Sequence, residues 1–551
     1  MKKVLIVGAV ATGASAAARL RRLDEDFEII MFEKGDYISF ANCGLPYYIG
    51  DVIEDRDSLL VATPKLMKDR FKIDVRVNSE VVKLDTVLKK VTIDSKDAGS
   101  YEETYDFLVL APGAKPLMPN IPGIQSDKIF TLRNIRDTDQ IKAAAIQAKS
   151  AIVIGGGYIG VEMAENLRER AINVTLIEAA PHILVPFDDD LVVVAEKEME
   201  DKGIKLILNN GVKAFNETLD TIEVALQNGD TLKADLVIAA MGVVPDTSFL
   251  QHTDIKLGVR GHILVNEKME TSIEGIYAGG DAVEVVDFIN GQQTAIPLAG
   301  PANKHGRIIA DNISGLKTTY KNTQGTSVIK IFDLILASTG NNERTLSRLD
   351  IPYQAIIIHP NNHAGYYPGA SPITLKLIFN NQGKILGAQA LGRSGVEKRI
   401  DVLATVIRLG GTIYDLTELE LSYAPPVGSA KDAVNFAGYV AENILTGKSD
   451  VVHPRELQKM KDNKQIVVLD VRTLAEREKG KVEGSIHINV NELRNSLERL
   501  DKDKEYWIHC AVGVRAYVAE RILKQAGFKC KNITGGYKTI QAMQFKPQTN
   551  K

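Results

Sequence analysis

At 551 residues the chain is too long for one hydrophobic core, and roughly three or four domains are expected. A formal charge of −3 excludes a general nucleic-acid binder, and no apolar run reaches the roughly 18 residues of a membrane-spanning helix. Three cysteines, Cys43, Cys510 and Cys530, do not make a disulfide framework and point to a reducing cytoplasm.

Lys3 to Val7 reads as a buried strand. It runs into Gly8-Ala9-Val10-Ala11-Thr12-Gly13 and an alanine-rich helix to about Leu23, which is a strand entering a nucleotide fold rather than a signal peptide. A second strand, Phe27 to Glu33, ends in an acid at the interval of about 20 residues where a carboxylate meets a ribose 2′-hydroxyl. Val10 stands where the middle glycine of this fingerprint usually lies. Ser39-Phe40-Ala41-Asn42-Cys43-Gly44-Leu45-Pro46 follows, a tight turn opening a short helix, with no second cysteine within redox-pair spacing. Amide N–H groups at a helix start are expected to favour the Cys43 thiolate.

Phe107 to Leu110 is a buried strand broken at Ala111-Pro112-Gly113. Ala151 to Ile154 leads into Gly155-Gly156-Gly157-Tyr158-Ile159-Gly160 and a helix through Glu162 to Arg170, and the strand Val174 to Ile177 ends at Glu178. One glycine fingerprint is weak evidence. Two, each between strand and helix and each followed by an acid, predict two dinucleotide sites. Gly275 to Asp281 is another strand ending in glycines and an acid, where Gly280 allows close backbone approach and Asp281 suits a polyol hydroxyl.

Residues from about 1 to 440 resemble the flavoprotein disulfide reductases with two dinucleotide-binding domains, above all the single-cysteine branch of coenzyme A-disulfide reductase, NADH oxidase and NADH peroxidase. The resemblance implies FAD on the first unit (Gly8, Val10, Gly13, Ala111, Gly113, Gly280), with Glu33 on its ribose and Asp281 on its ribityl chain. It implies a nicotinamide dinucleotide on Gly155, Gly157 and Gly160. Glu178, which would repel a 2′-phosphate, favours NADH over NADPH. The family's redox cysteine falls on Cys43. Coenzyme A contacts fall on Ser15, Arg19, Arg22, Ser39, Asn42, Asn303 and Lys431, with a further basic contact near Arg70 or Lys72 left open. Residues 325 to 440 match the dimerisation domain. Its Tyr423, with either Tyr366 or Tyr367, would reach the partner's active site in a homodimer.

After a linker at Thr446 to Asp450, a small α/β module resembles rhodanese, the sulfurtransferase domain: Asp470-Val471-Arg472, Gly484-Ser485-Ile486, the six-residue loop Cys510 to Arg515, and Gly535-Gly536-Tyr537 carry the likeness. Cys510, with Arg515 nearby, lies in a cradle of backbone N–H groups that favours a thiolate or persulfide. Cys530 carries no motif and reads as structural.

The expected architecture is α/β: an FAD-binding domain from 1–114 and 241–320, an NAD-binding domain over 115–240, an α+β dimerisation domain over 321–445, and a rhodanese domain over 452–546. The expected activity is NADH-driven reduction of coenzyme A persulfide or polysulfide at Cys43, with no metal. Two alternatives stand beside it: a coenzyme A-disulfide reductase for thiol balance, and a peroxidase or oxidase with an accessory rhodanese module. Expected partners are a small thiol or persulfide substrate and a second copy of the chain, without nucleic acid or membrane.

Overall fold

The computed structural model describes residues 2–460 and 463–547. The chain forms two compact units: residues up to Pro181 together with Gly203–Gly325, and His182–Lys202 together with the chain from Thr326 onward.

The first unit holds two five-stranded parallel sheets. In one, Lys3–Val7 lies between Glu28–Phe32 and Phe107–Leu110, with Asp74–Arg76 and Ile276–Ala278 at the edges. In the other, Ser150–Ile154 lies between Asn173–Ile177 and Leu236–Ala239. The central strands are apolar runs buried on both faces, as parallel sheets require. Each central strand ends at a glycine loop and its helix, Ala11–Leu23 or Tyr158–Glu169. Both loops therefore lie at the carboxyl ends of the strands, where ligands bind in open α/β sheets.

The second unit holds a five-stranded antiparallel sheet, ordered Ser327–Ile331, Leu334–Gly340, Ile385–Gly392, Thr374–Phe379, Gln354–Ile358. It also holds a five-stranded parallel sheet with Glu505–His509 at its centre. The rhodanese-like module is fixed to the edge strand Gln354–Ile358. The Thr534 hydroxyl accepts from the Ile357 amide (2.7 Å) and donates to its carbonyl (3.2 Å), and His359 Nε2 meets Thr539 Oγ1 at 2.9 Å.

Lys376, in the strand Thr374–Phe379, is wholly buried. Its ammonium meets Asp190 at 2.8 Å, Glu343 at 2.7 Å and Asp188 at 3.0 Å, and Arg455 takes the other Glu343 oxygen at 2.7 Å. Asp188 stands at the N-cap position of Asp189–Asp201 without a side-chain capping bond to it, and instead accepts from the Glu343 amide (3.1 Å) at the start of Glu343–Arg348, so both carboxylates lie at a helix N-terminus. This ion cluster explains why His182–Lys202, inserted in the stretch read as NAD-binding, packs with the second unit. Asp190, Glu343 and His453 have ligand atoms within 4.8 Å of one another, but the Lys376 ammonium bonds both carboxylates.

Among the described residues no helix is long and apolar enough to cross a membrane.

Candidate active site

The two glycine loops share one geometry. A Cβ on Gly13 would lie 1.9 Å from the Gly8 carbonyl oxygen, and a Cβ on Gly160 would lie 1.9 Å from that of Gly155. Helix and strand could not close to this distance with any larger residue. Glu33 accepts from the amides of Ala9 (3.1 Å) and Gly35 (2.9 Å), and Glu178 accepts from those of Gly156 (2.6 Å) and Ala180 (2.7 Å). Each carboxylate is thus locked beside its loop. The loops differ at the middle position: nothing lies within 4 Å of a Cβ placed on Gly157, whereas Val10 fills the corresponding place with a half-buried side chain.

A cavity of about 310 Å³ adjoins the first loop, lined by Gly8, Glu33, Pro112 and Phe249 among others. Ala111 hydrogen-bonds Val7 at 2.8 Å, and Gly113 approaches Arg133. The Gly280 amide donates to His305 Nδ1 (3.1 Å), and burial pushes the neighbouring Asp281 carboxyl up against the opposing pull of Arg133.

Cys43 lies in a single 3₁₀ turn, Asn42–Gly44, ahead of the five-residue helix Leu45–Ile49. The expected thiolate-favouring helix start is corrected here. The thiol is exposed, yet desolvation by the surrounding protein is the largest influence on it, and with Glu162 and Asp281 it pushes the pKa up. Lys142 bonds the Tyr48 carbonyl (2.6 Å) and Asp51 (2.7 Å), while Arg170 bonds the Ile49 carbonyl (3.1 Å) and also pairs with Asp51. The cysteine helix is therefore clamped by the elements around the second glycine loop.

Sequence reasoning missed two groups beside Cys43. Glu162 is raised to about 7 by burial and by Glu165, and Tyr47 to about 12 by burial and by Glu162. The only sequence signal for Glu162 was an acid early in the second loop's helix, which reads as a solvated helix face. Because Glu162 ionises near neutrality, Glu162→Gln removes a negative charge that opposes the thiolate. Alkylation of Cys43 followed against pH should then show its thiol titrating at lower pH than in the parent, and an unchanged profile counts against this coupling.

The coenzyme A candidates fall into groups. Ser15 donates to Asn303 Oδ1 (2.6 Å) between the helices Ala11–Leu23 and Ala299–Ile313. Arg19 is bonded to Asp311 (2.9 Å), while Arg22 is exposed, so the two arginines are not equally free for one phosphate. Ser39, in left-handed conformation (φ 44°), bonds the Ala9 carbonyl of the first loop. Asn42, next to Cys43, has a buried side-chain oxygen with no hydrogen-bond partner. Lys431, in the second unit, lies over the Tyr439 ring at 5.6 Å. There the Tyr366 and Tyr423 hydroxyls meet at 2.9 Å, both rings exposed, while Tyr367 packs edge-on against His363. Of the two candidates, Tyr366 is the one paired with Tyr423.

Three sequence profiles match in order: pyridine nucleotide-disulphide oxidoreductase over residues 2–306, its dimerisation domain over 326–433, and a rhodanese-like domain over 453–543. The chain belongs to the pyridine nucleotide-disulphide oxidoreductase family. It is similar to a coenzyme A disulfide reductase of Staphylococcus haemolyticus, 38% identical over 81% of this chain and 100% of that protein. The crystal structure of reduced Bacillus anthracis CoADR-RHD is 50% identical over 98% of both chains, with a TM-score of 0.96. A NAD-dependent persulfide reductase from A. fulgidus is 36% identical over 98% of this chain and 100% of that one, with a TM-score of 0.91. The protein is an oxidoreductase with a C-terminal sulfurtransferase domain.

Family membership implies FAD and NAD(H), and the residues present fit both. The two loops whose glycines admit close packing, the open space at Gly157, the cavity beside Gly8 and the paired Glu33 and Glu178 carboxylates suit two dinucleotides. With Glu178 held by two amides and no cation in Ala179-Ala180-Pro181, kcat/KM should be higher with NADH than with NADPH by about tenfold or more, as steady-state rates with each would show.

In the rhodanese domain Cys510 directly follows the strand Glu505–His509 and is wholly buried, with the Gly513 amide donating to its sulfur at 3.1 Å. The loop carbonyls of Cys510 and Ala511 accept from the amides of Tyr537 (2.8 Å) and Lys538 (3.0 Å). Buried Asp470 holds Arg472 (2.7 Å) and Arg477 (3.1 Å) behind the loop. Arg515, expected to serve the cysteine, has its guanidinium forked mainly on Glu476, with the Cys510 sulfur a lesser partner. Cys530 is buried in the domain core, where desolvation raises its thiol to about 12.

Proposed function

We propose that the protein uses NADH to reduce coenzyme A persulfide or polysulfide at Cys43, with coenzyme A disulfide as a further substrate, and that Cys510 handles sulfane sulfur in the same chain. The observation that carries this reading is an exposed lone thiol set against two dinucleotide loops in a chain that also holds a complete Cys510 loop. FAD, when bound, supplies the route for electrons from NADH to sulfur.

The Cys43 thiolate attacks the inner sulfur of the persulfide. The bond to the outer sulfur breaks, hydrosulfide leaves with the electron pair, and a Cys43–coenzyme A mixed disulfide remains. Two electrons and a proton restore the Cys43 thiolate and release coenzyme A as its thiol. Attack at the outer sulfur, with coenzyme A leaving and a persulfide left on Cys43, has the same stoichiometry. A single cysteine without a resolving partner suits either route. Ser15, Asn303, Ser39 and Asn42 would orient the coenzyme A moiety. Tyr423 and Tyr366, exposed as a hydrogen-bonded pair in the domain that matches the dimerisation profile, would serve a partner subunit's Cys43 in a homodimer.

A second reading, coenzyme A-disulfide reduction for thiol balance, is favoured by the Staphylococcus haemolyticus relative, all of whose length matches 81% of this chain. The rhodanese domain favours sulfane sulfur. NADH oxidation by the purified protein with coenzyme A persulfide, coenzyme A disulfide, peroxide and oxygen, compared side by side, decides between them. The persulfide is expected to give the highest kcat/KM, and peroxide or oxygen leading would overturn the proposal.

A further inference from the structure

Arg515 is the one cation in the loop Cys510-Ala511-Val512-Gly513-Val514-Arg515. Two of its nitrogens are taken by Glu476, Nη1 to Oε2 at 2.7 Å and Nη2 to Oε1 at 2.6 Å. The two side chains are 33% and 35% exposed, so this neutral pair stands at the rim of the loop rather than beneath it. Deeper charges are matched among themselves, Asp470 with Arg472 and Arg477. The residues that flank the pair in sequence are apolar and open to solvent: Leu474 at 60%, Val514 at 50% and Val518 at 42%.

We propose that Glu476 is a specificity determinant of the sulfur-transfer site. By occupying Arg515 it disfavours dianionic inorganic donors and leaves the loop to organic persulfides, which bring at most one charge to the sulfur. This rests on the reading that Cys510 carries sulfane sulfur. With thiosulfate, the Cys510 thiolate attacks the outer sulfur, an S–S bond forms to Cys510, the S–S bond of thiosulfate breaks, and sulfite leaves as a dianion with the electron pair. That departing charge needs a free cation, and Arg515 is occupied. With an alkyl persulfide, whose S–H is more acidic than that of a thiol, the donor brings at most one negative charge across the apolar rim; Cys510 attacks the outer sulfur of its protonated form, and the leaving group is a monoanionic thiolate. In both cases Cys510 ends as a persulfide.

The test compares the full-length protein with its Glu476→Gln variant as a sulfurtransferase to cyanide, using thiosulfate and 2-hydroxyethyl persulfide as donors. Glutamine keeps the capping box that Glu476 forms with Thr473 while removing the charge. In the variant, kcat/KM for dianionic thiosulfate should rise about tenfold, mostly through KM, while the value for the persulfide, which carries at most one charge, rises by no more than about threefold. A purely structural role would move both donors together, and that result, or no change in the ratio, overturns the proposal. Salt gives a measurement that needs no variant. Thiosulfate transfer by the parent protein should be nearly flat with ionic strength, because the pair it meets is neutral. A steep fall with salt would show Arg515 already free for dianions and overturn the inference. If the parent transfers sulfur from neither donor, the reading of Cys510 itself fails, a result distinct from transfer with an unaltered donor ratio.

Discussion

Replacing Cys43 by serine should lower NADH-driven reduction of coenzyme A persulfide by at least about 10³-fold while FAD stays bound. Serine cannot form the mixed disulfide or persulfide, and nothing else in the 3₁₀ turn Asn42–Gly44 supplies a sulfur nucleophile. FAD retention follows because Cys43 lies outside both glycine loops. Cys510→Ser should behave differently, keeping the reduction of soluble coenzyme A persulfide and losing transfer from sulfane-sulfur donors. Flavin absorbance and NADH oxidation measured on both variants separate the two cysteines. Arrest of soluble persulfide turnover by Cys510→Ser would mean that the modules form one obligatory relay, and the two-site reading would be wrong.

Lys376→Met should destabilise the second unit by about 3–5 kcal/mol, since it leaves carboxylates buried without their cation. Methionine keeps most of the volume, so cavity formation adds little. Among the described residues, the ion pair left in the cluster would be Arg455 with Glu343, and Asp188 and Asp190 would have none. The pH dependence has a definite sign. Burial opposes ionisation of Glu343, but Lys376, and after it His453 and Arg455, outweigh it and hold the carboxyl at about 2. Its stabilising contribution is complete above the unfolded value of 4.5 and fades as pH falls toward 2. The variant should lose this dependence, so parent and variant converge in acid. Denaturant unfolding at neutral and acidic pH measures both effects, and a loss below about 1 kcal/mol at neutral pH would mark the cluster as no stronger than a surface pair.

The parallel sheets were legible because their strands are apolar runs ending in glycine, and Glu33 and Glu178 were legible because a carboxylate at that interval has a known task. The Tyr366–Tyr423 pair was half legible: both tyrosines stood out, but only the fold brings one hydroxyl to the other across 57 positions. Lys376 was not legible. In Thr374–Phe379 an isolated lysine reads as a solvent-facing strand residue, and its partners lie 33 and 186 positions away. Glu162 and Glu476 were missed for a related reason, since an acid on a helix is ordinarily solvated and only packing reveals what it faces. The Cys43 environment failed as a local inference, because a helix-start argument sees neighbours in the chain and not the desolvation by packed elements, nor the carboxylates of Glu162 and Asp281 that those elements bring.

The strand Gln354–Ile358 ends its sheet, and its Ile357 amide and carbonyl are both answered by a threonine hydroxyl of the rhodanese domain. The strand is isoleucine-rich and buried, the kind of edge that templates association with other chains when uncovered. The rhodanese domain thus acts as a lid on an adhesive seam as well as a carrier of chemistry. Cutting the chain after Leu445 would expose that seam, leave His359 without Thr539 and take Arg455 from Glu343, so the shortened protein should be prone to clumping even though both glycine loops and Cys43 are kept. The two halves are thus mechanically dependent, and separating them would call for rewriting the surface of that strand.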